Sequence, residues 1–101
     1  MDTSVSPDTL FARHQLPRSG DANAGHRKNE SGNKSYETGE YARAFASYWS
    51  AFVEYENALG PDHEHVAAMY DNLARALRKQ DRNKEADVYT RRAEAIRAAG
   101  K

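Results

Sequence analysis

Arg75, Arg78 and Lys79 stand three or four residues apart, so a helix would gather all three cations on one face. Arginines so arranged can make charge-assisted hydrogen bonds to the carboxylates of an extended peptide. Asp71 and Asn72 precede them on the same stretch, and Asn33 and Tyr36 lie on an earlier one. His63-Glu64-His65 invites a metal reading, but a zinc-protease helix needs its second histidine four places after the first, and that place is Ala67. Two histidines alternating at a helix start are expected to point to different sides, while Glu64 suits the positive end of the helix dipole. No glycine-rich phosphate loop follows a strand, and no segment reads as a strand. Several serines and histidines fall in the N-terminal stretch, where nothing would fix a catalytic geometry. The residues point to binding rather than catalysis, with no enzyme activity, no cofactor and no metal expected.

The elements that must position these groups belong to one domain at most, since the chain has 101 residues. Fifteen Lys and Arg balance fifteen Asp and Glu, so the net charge draws it neither to nucleic acid nor to a membrane surface. The charges are unevenly placed. Residues 36–71 hold seven acids against Arg43 alone, and residues 72–101 hold nine bases against four acids. The two halves are expected to attract each other across helix surfaces. The chain lacks cysteine, which excludes disulfides and thiolate metal sites. No apolar run is long enough to span a bilayer. The start, Met1-Asp2-Thr3-Ser4-Val5, has no basic region followed by an apolar stretch, and Asp2 and Asp8 argue against a transit peptide. A cytoplasmic location is the resulting expectation.

Residues 1–26 are rich in Ser, Pro, Gly, Asp and Asn and show no sustained period, so they read as a disordered N-terminal tail. One island, Pro7 to Leu16, could form a turn or two of helix between Ser6 and Pro17, as an inert tail, a docking motif or a lid. Four helices are expected beyond it. The first, about 27–38, opens on residues polar all round, so its start should fray. The second, about 40–58, carries Tyr41, Ala44, Phe45, Tyr48, Phe52 and Tyr55 at helical spacing, with Trp49 widening the stripe, and Gly60-Pro61 stops it. Asp62 is placed to cap the third, about 63–80, whose apolar face is Val66, Met69, Tyr70, Leu73 and Leu77. Asp81-Arg82-Asn83 makes the next turn. The fourth, about 84–98, buries Ala86, Tyr89, Ala93 and Ile96 before Gly100. Short turns make neighbours antiparallel.

The pattern also repeats. Gly32, Asn33, Tyr36, Gly39, Tyr41, Ala44, Tyr48 and Ala51 are echoed 42 residues later by Ala74, Leu77, Asp81, Asn83, Ala86, Thr90 and Ala93 in matching or neighbouring places. These residues resemble the tetratricopeptide repeat, with Asp81 in place of the turn glycine and Thr90 in place of an aromatic. The stretch Leu59 to Ala67, followed by Asn72-Leu73-Ala74, looks like the 42-residue repeats of kinesin light chains. The resemblance implies an all-α helical-repeat fragment of two antiparallel hairpins within 27–101, repeat one about 27–60 and repeat two about 61–98. It also implies a non-catalytic protein-interaction module, a small adaptor, scaffold or assembly factor.

In such arrays the first helix of each hairpin lines a concave groove. The resemblance therefore assigns peptide binding to Asn33, Tyr36, Asp71, Asn72, Arg75, Arg78 and Lys79, with an acidic peptide or helix as partner. Asn33 and Asn72 match the asparagines of the carboxylate clamp in some co-chaperones. The lysine expected one turn before Asn33 is Asn29, and no third repeat supplies the remaining basic residues, so the clamp is incomplete. Two other readings compete. A homodimer could form through the terminal helix, where Val88, Tyr89 and Ile96 would lack full cover and two repeats are few for a stable array. Arg82, Lys84, Arg91, Arg92, Arg97 and Lys101 could meet phosphates, but Glu85, Asp87 and Glu94 interrupt them.

Overall fold

The computed structural model describes residues 20–100, so the Pro7–Leu16 island and Lys101 lie outside the described residues. Four helices run in order: α1 Ala22–Glu37, α2 Tyr41–Leu59, α3 Glu64–Arg78 and α4 Asn83–Ala99. They form two antiparallel hairpins, α1 with α2 and α3 with α4, and α3 packs back onto α2. Corresponding helices start 42 residues apart, Ala22 with Glu64 and Tyr41 with Asn83.

Helix α1 begins five residues earlier than the sequence suggests, at Ala22 rather than about 27. The Asp21 carboxylate accepts from the Asn23 N–H at 2.8 Å and caps the helix, while the Asp21 N–H donates to Glu54 at 3.1 Å. Lys28 then pairs with Glu54 at 2.7 Å, tying the first two turns of α1 to α2. The polar opening turn is therefore anchored, not frayed. At α3 the cap is His63 and not Asp62: its Nδ1 accepts from the His65 N–H at 2.9 Å.

Both first helices end in the same way. The Glu40 N–H bonds the Ser35 carbonyl at 2.8 Å, and the Arg82 N–H bonds the Leu77 carbonyl at 3.0 Å. Each closing bond requires a left-handed residue just inside it. Gly39 supplies it with φ 81° in the first repeat, and Asp81 with φ 60° in the second. A side chain in this region carries a cost that glycine avoids. Asp81→Gly is expected to raise stability by up to about 1 kcal/mol, and Asp81→Val to lower it by about 1–2 kcal/mol, in urea melts. Equal stability of the two variants would contradict the strain.

The core lies between the hairpins. Tyr48, Val66, Leu73 and Leu77 are its largest fully buried side chains, joined by Phe52, Tyr55 and Met69. Ala44, Ala51, Ala86 and Ala93 are also fully buried, small residues where paired helices approach. The aromatic stripe of α2 is narrower than its sequence suggests, for Trp49 is 41% exposed. Tyr41 and Phe45 are half-buried, as are Tyr89 and Ile96 on α4.

The far side of α4 differs from that of α2. On α2, Tyr48, Phe52 and Tyr55 receive α3, Phe52 meeting Tyr70 with ring centroids 4.9 Å apart. The positions 42 residues on are Thr90, Glu94 and Arg97. Arg97 bridges Glu64 at 3.0 Å and Asp71 at 2.8 Å, and Arg78 bridges Asp87 at 3.0 Å. An end-on partner would thus meet polar and charged side chains at these positions, with Val88 exposed nearby. Arg97 is also the one described residue through which the basic half pairs with the acidic half; the other ion pairs among the described residues do not join the two halves.

Three histidines meet where α1 crosses the start of α3. The rings of His63 and His65 lie edge to face at 4.8 Å rather than pointing apart, because the capping bond turns His63 inward. His26 sits 5.4 Å from His65 and bonds the Tyr55 hydroxyl through Nδ1. Among the described residues no His, Cys, Asp or Glu group has the geometry to hold a metal. Burial holds the His65 imidazole below its usual range; His63 and His26 push the same way, and Glu64 opposes them. The folded state therefore favours neutral His65. That stability is complete above the ordinary pKa of 6.5 and declines as pH falls below it. Thermal midpoints should drop between about pH 7 and about pH 5, and His65→Gln should flatten the slope. A slope unchanged in that variant would assign the pH dependence elsewhere.

Candidate functional site

Successive residues of a helix point about 100° apart, so α3 presents two flanks. Asn72, Arg75 and Lys79 turn toward the first hairpin. The Asn72 side-chain amide donates to Asn29 Oδ1 at 3.0 Å, linking α3 to α1. The Arg75 guanidinium lies over the Tyr36 ring, 4.6 Å from its centroid. One of its nitrogens, Nη2, donates to the Tyr48 hydroxyl at 3.4 Å and to Asn72 Oδ1 at 3.2 Å. The Tyr48 hydroxyl donates in turn to Asn33 Oδ1 at 2.7 Å. Burial raises the Tyr48 phenol above its usual pKa, with Arg75 pulling in the opposite direction. The phenol therefore stays protonated and able to donate. Lys79 Nζ lies 5.9 Å from the Tyr41 ring, which meets Tyr36 edge-on at 5.2 Å.

Asp71 and Arg78 turn the other way, toward α4. Asp71 pairs with Arg97, and Arg78 with Asp87, with a further bond to Thr90 at 3.1 Å. Of the seven residues expected to bind peptide, the structure brings together Asn33, Tyr36, Asn72 and Arg75, with Lys79 alongside. Asp71 and Arg78 are engaged in pairs between the helices of the second hairpin. Asn29, Tyr41 and Tyr48 join the cluster, though the sequence marked none of them for binding. Tyr48 and Tyr41 read as core aromatics, and Asn29 as a missing lysine. The 42-residue register held a signal, since it aligns Asn29 with Asp71 and Asn33 with Arg75.

The result is a face of amides, phenols and one stacked guanidinium across α1 and α3, suited to hydrogen bonding and charge pairing. A family model of the tetratricopeptide repeat matches residues 35–65 and again residues 66–99. The chain belongs to the tetratricopeptide repeat family. Its two hairpins, the small residues at their helix contacts and the repeated left-handed turn are what this repeat needs in order to stack. Tetratricopeptide repeats mediate protein–protein interaction, so protein partners follow from membership. No curated protein and no solved structure matches the chain. Among the described residues no helix of this tetratricopeptide fold is long and apolar enough to cross a membrane.

Proposed function

We propose that the α1/α3 face binds an acidic peptide or helix, making this chain a small non-catalytic adaptor. One observation carries the reading. Arg75 is held only by neutral groups, the Tyr36 ring, the Tyr48 hydroxyl and Asn72, and pairs with no carboxylate among the described residues. Arg78, Arg82 and Arg97 are each ion-paired. A guanidinium fixed by stacking keeps further N–H donors in a planar fork, the geometry that a carboxylate takes bidentately. Lys79, Asn33 and Asn72 flank it and extend the contact along a peptide. The 42-residue interval between corresponding helices supports likeness to the longer repeats of kinesin light chains.

An array of acidic peptides supplies the probe, and calorimetry measures the best binder. Arg75→Glu should weaken it at least about tenfold, since a hydrogen bond to a charged group contributes about 1.5–3 kcal/mol. Arg78→Glu should change affinity less than about threefold, while lowering stability slightly through the lost Asp87 pair. Equal losses in the two variants, or no acidic binder at all, would reject this assignment.

A further inference from the structure

The contacts between α1 and α3 run in one row along both helices. Arg75 meets Tyr36 at one end, Asn72 meets Asn29 in the middle, and His65 meets His26 at the other end. The histidine cluster therefore continues the face that holds Arg75. His26 and His63 are exposed, and His65 is half-buried. His63 Nδ1 is taken by the His65 N–H and His26 Nδ1 by the Tyr55 hydroxyl, so each of these two rings keeps Nε2 for another partner. What the cluster lacks is a counter-ion. Imidazole gains its charge within the physiological range, and charging rings 4.8 and 5.4 Å apart sets like charges against one another. Among the described residues no ion pair joins any of the three to a carboxylate. The groups that face His65 are His26 from α1, Tyr55 from α2, and His63 and Glu64 at the start of α3. Arg97 of α4 holds both Glu64 oxygens, at 3.0 and 3.2 Å. Glu54 of α2 is held by Lys28 and the Asp21 N–H. Arg27 and Asp62, beside His26 and His63 in the chain, are exposed.

We propose that His26, His63 and His65 form a second anion subsite of the α1/α3 face and take a further carboxylate of the acidic peptide. The subsite rests on the acidic-peptide reading of that face and adds to it a spacing and a pH dependence. His65 and Arg75 are ten residues apart on α3, about 15 Å along the axis. An extended peptide covers that distance in about four or five residues, so the peptide carries two acids at that separation. Its carboxylates stay ionised down to about pH 5, whereas a histidine gains its proton between about pH 8 and about pH 5. A carboxylate beside the charged rings favours their protonated form. Affinity therefore rises as pH falls, and the gain is lost as pH rises through the histidine range of the complex.

Calorimetry on the full chain with the best acidic binder of the peptide array, in EDTA, at about pH 8 and about pH 6 is the test. Affinity should rise at least about fivefold on acidification. His26→Gln should cut the rise to less than about twofold, with circular dichroism confirming the fold at both pH values. Neutralising the peptide acid four or five places from the one at Arg75, Glu to Gln or Asp to Asn, should do the same without touching the protein. Arg75→Glu should weaken binding at both pH values and keep the rise. A flat wild-type profile, with binding that still depends on Arg75, would overturn the subsite and leave the Arg75 assignment standing. A rise that survives His26→Gln or the neutralised peptide in full would also overturn it. The absence of any acidic binder at either pH would reject both assignments.

Discussion

Tyr48→Ala is expected to leave the chain largely unfolded at room temperature. Tyr48 is fully buried where α1, α2 and α3 meet, so removing its ring opens a cavity that three helices line. Truncating a buried aromatic costs about 3–5 kcal/mol. A core of this size supplies about the same amount in total. The loss is compounded at the surface, because Asn33 and Arg75 both bond the Tyr48 hydroxyl. Tyr48→Phe separates the two contributions: it keeps the ring, so it should fold with a loss of about 0.5–1.5 kcal/mol. Circular dichroism and urea titration measure both variants. A Tyr48→Ala chain that melts near the wild-type temperature would show that the hairpins do not depend on this contact.

Gly32 faces Tyr48 from α1, and its substitution tests the same junction by overfilling it. A Cβ at Gly32 would stand 2.6 Å from both Cδ1 and Cε1 of the Tyr48 ring. The ring has nowhere to withdraw, being fully buried and tethered through its hydroxyl. Helix propensity argues the other way, since Ala is favoured over Gly by about 0.8–1.0 kcal/mol inside a helix. Overpacking costs about 1–3 kcal/mol and outweighs that gain. Gly32→Ala should therefore destabilise by about 1–2 kcal/mol. Gly32→Leu, which must lift α1 off α2, should abolish cooperative unfolding altogether. Ser31→Ala, at the exposed neighbouring position, should be neutral or slightly stabilising. If Gly32→Ala were stabilising as well, propensity would win and the close approach would not be required.

Helices α2, α3 and α4 were legible because each repeats its apolar residues at helical spacing and ends at a turn signal. Gly60 stops α2 with φ 93°, and Asp81 takes the left-handed place of Gly39 although its type gives weaker notice. The start of α1 was not legible, since Glu54, on another helix and 26 or more residues away in sequence, holds both the Asp21 N–H and Lys28. Trp49 was misread as core because a stripe of aromatics cannot show where its edge meets a neighbour. The histidines at 63 and 65 were misread as opposed because a capping bond, not ideal helix geometry, sets the first ring.

The binding face divides in the same way. Three cations at helical spacing were visible in the chain, and so were the two asparagines. Spacing places side chains on one side of a helix, but Arg75 and Arg78 still differ by about 60° around its axis. That difference is enough for two neighbours to separate them. The first hairpin holds Arg75 with an aromatic ring and neutral acceptors, while α4 takes Arg78 with a carboxylate. By itself the sequence determined four helices, two repeats and a family, because periodicity and turn chemistry are local. Only the tertiary structure decided that Arg78 and not Arg75 meets a carboxylate, because that depends on what the flanking helices bring within hydrogen-bonding distance.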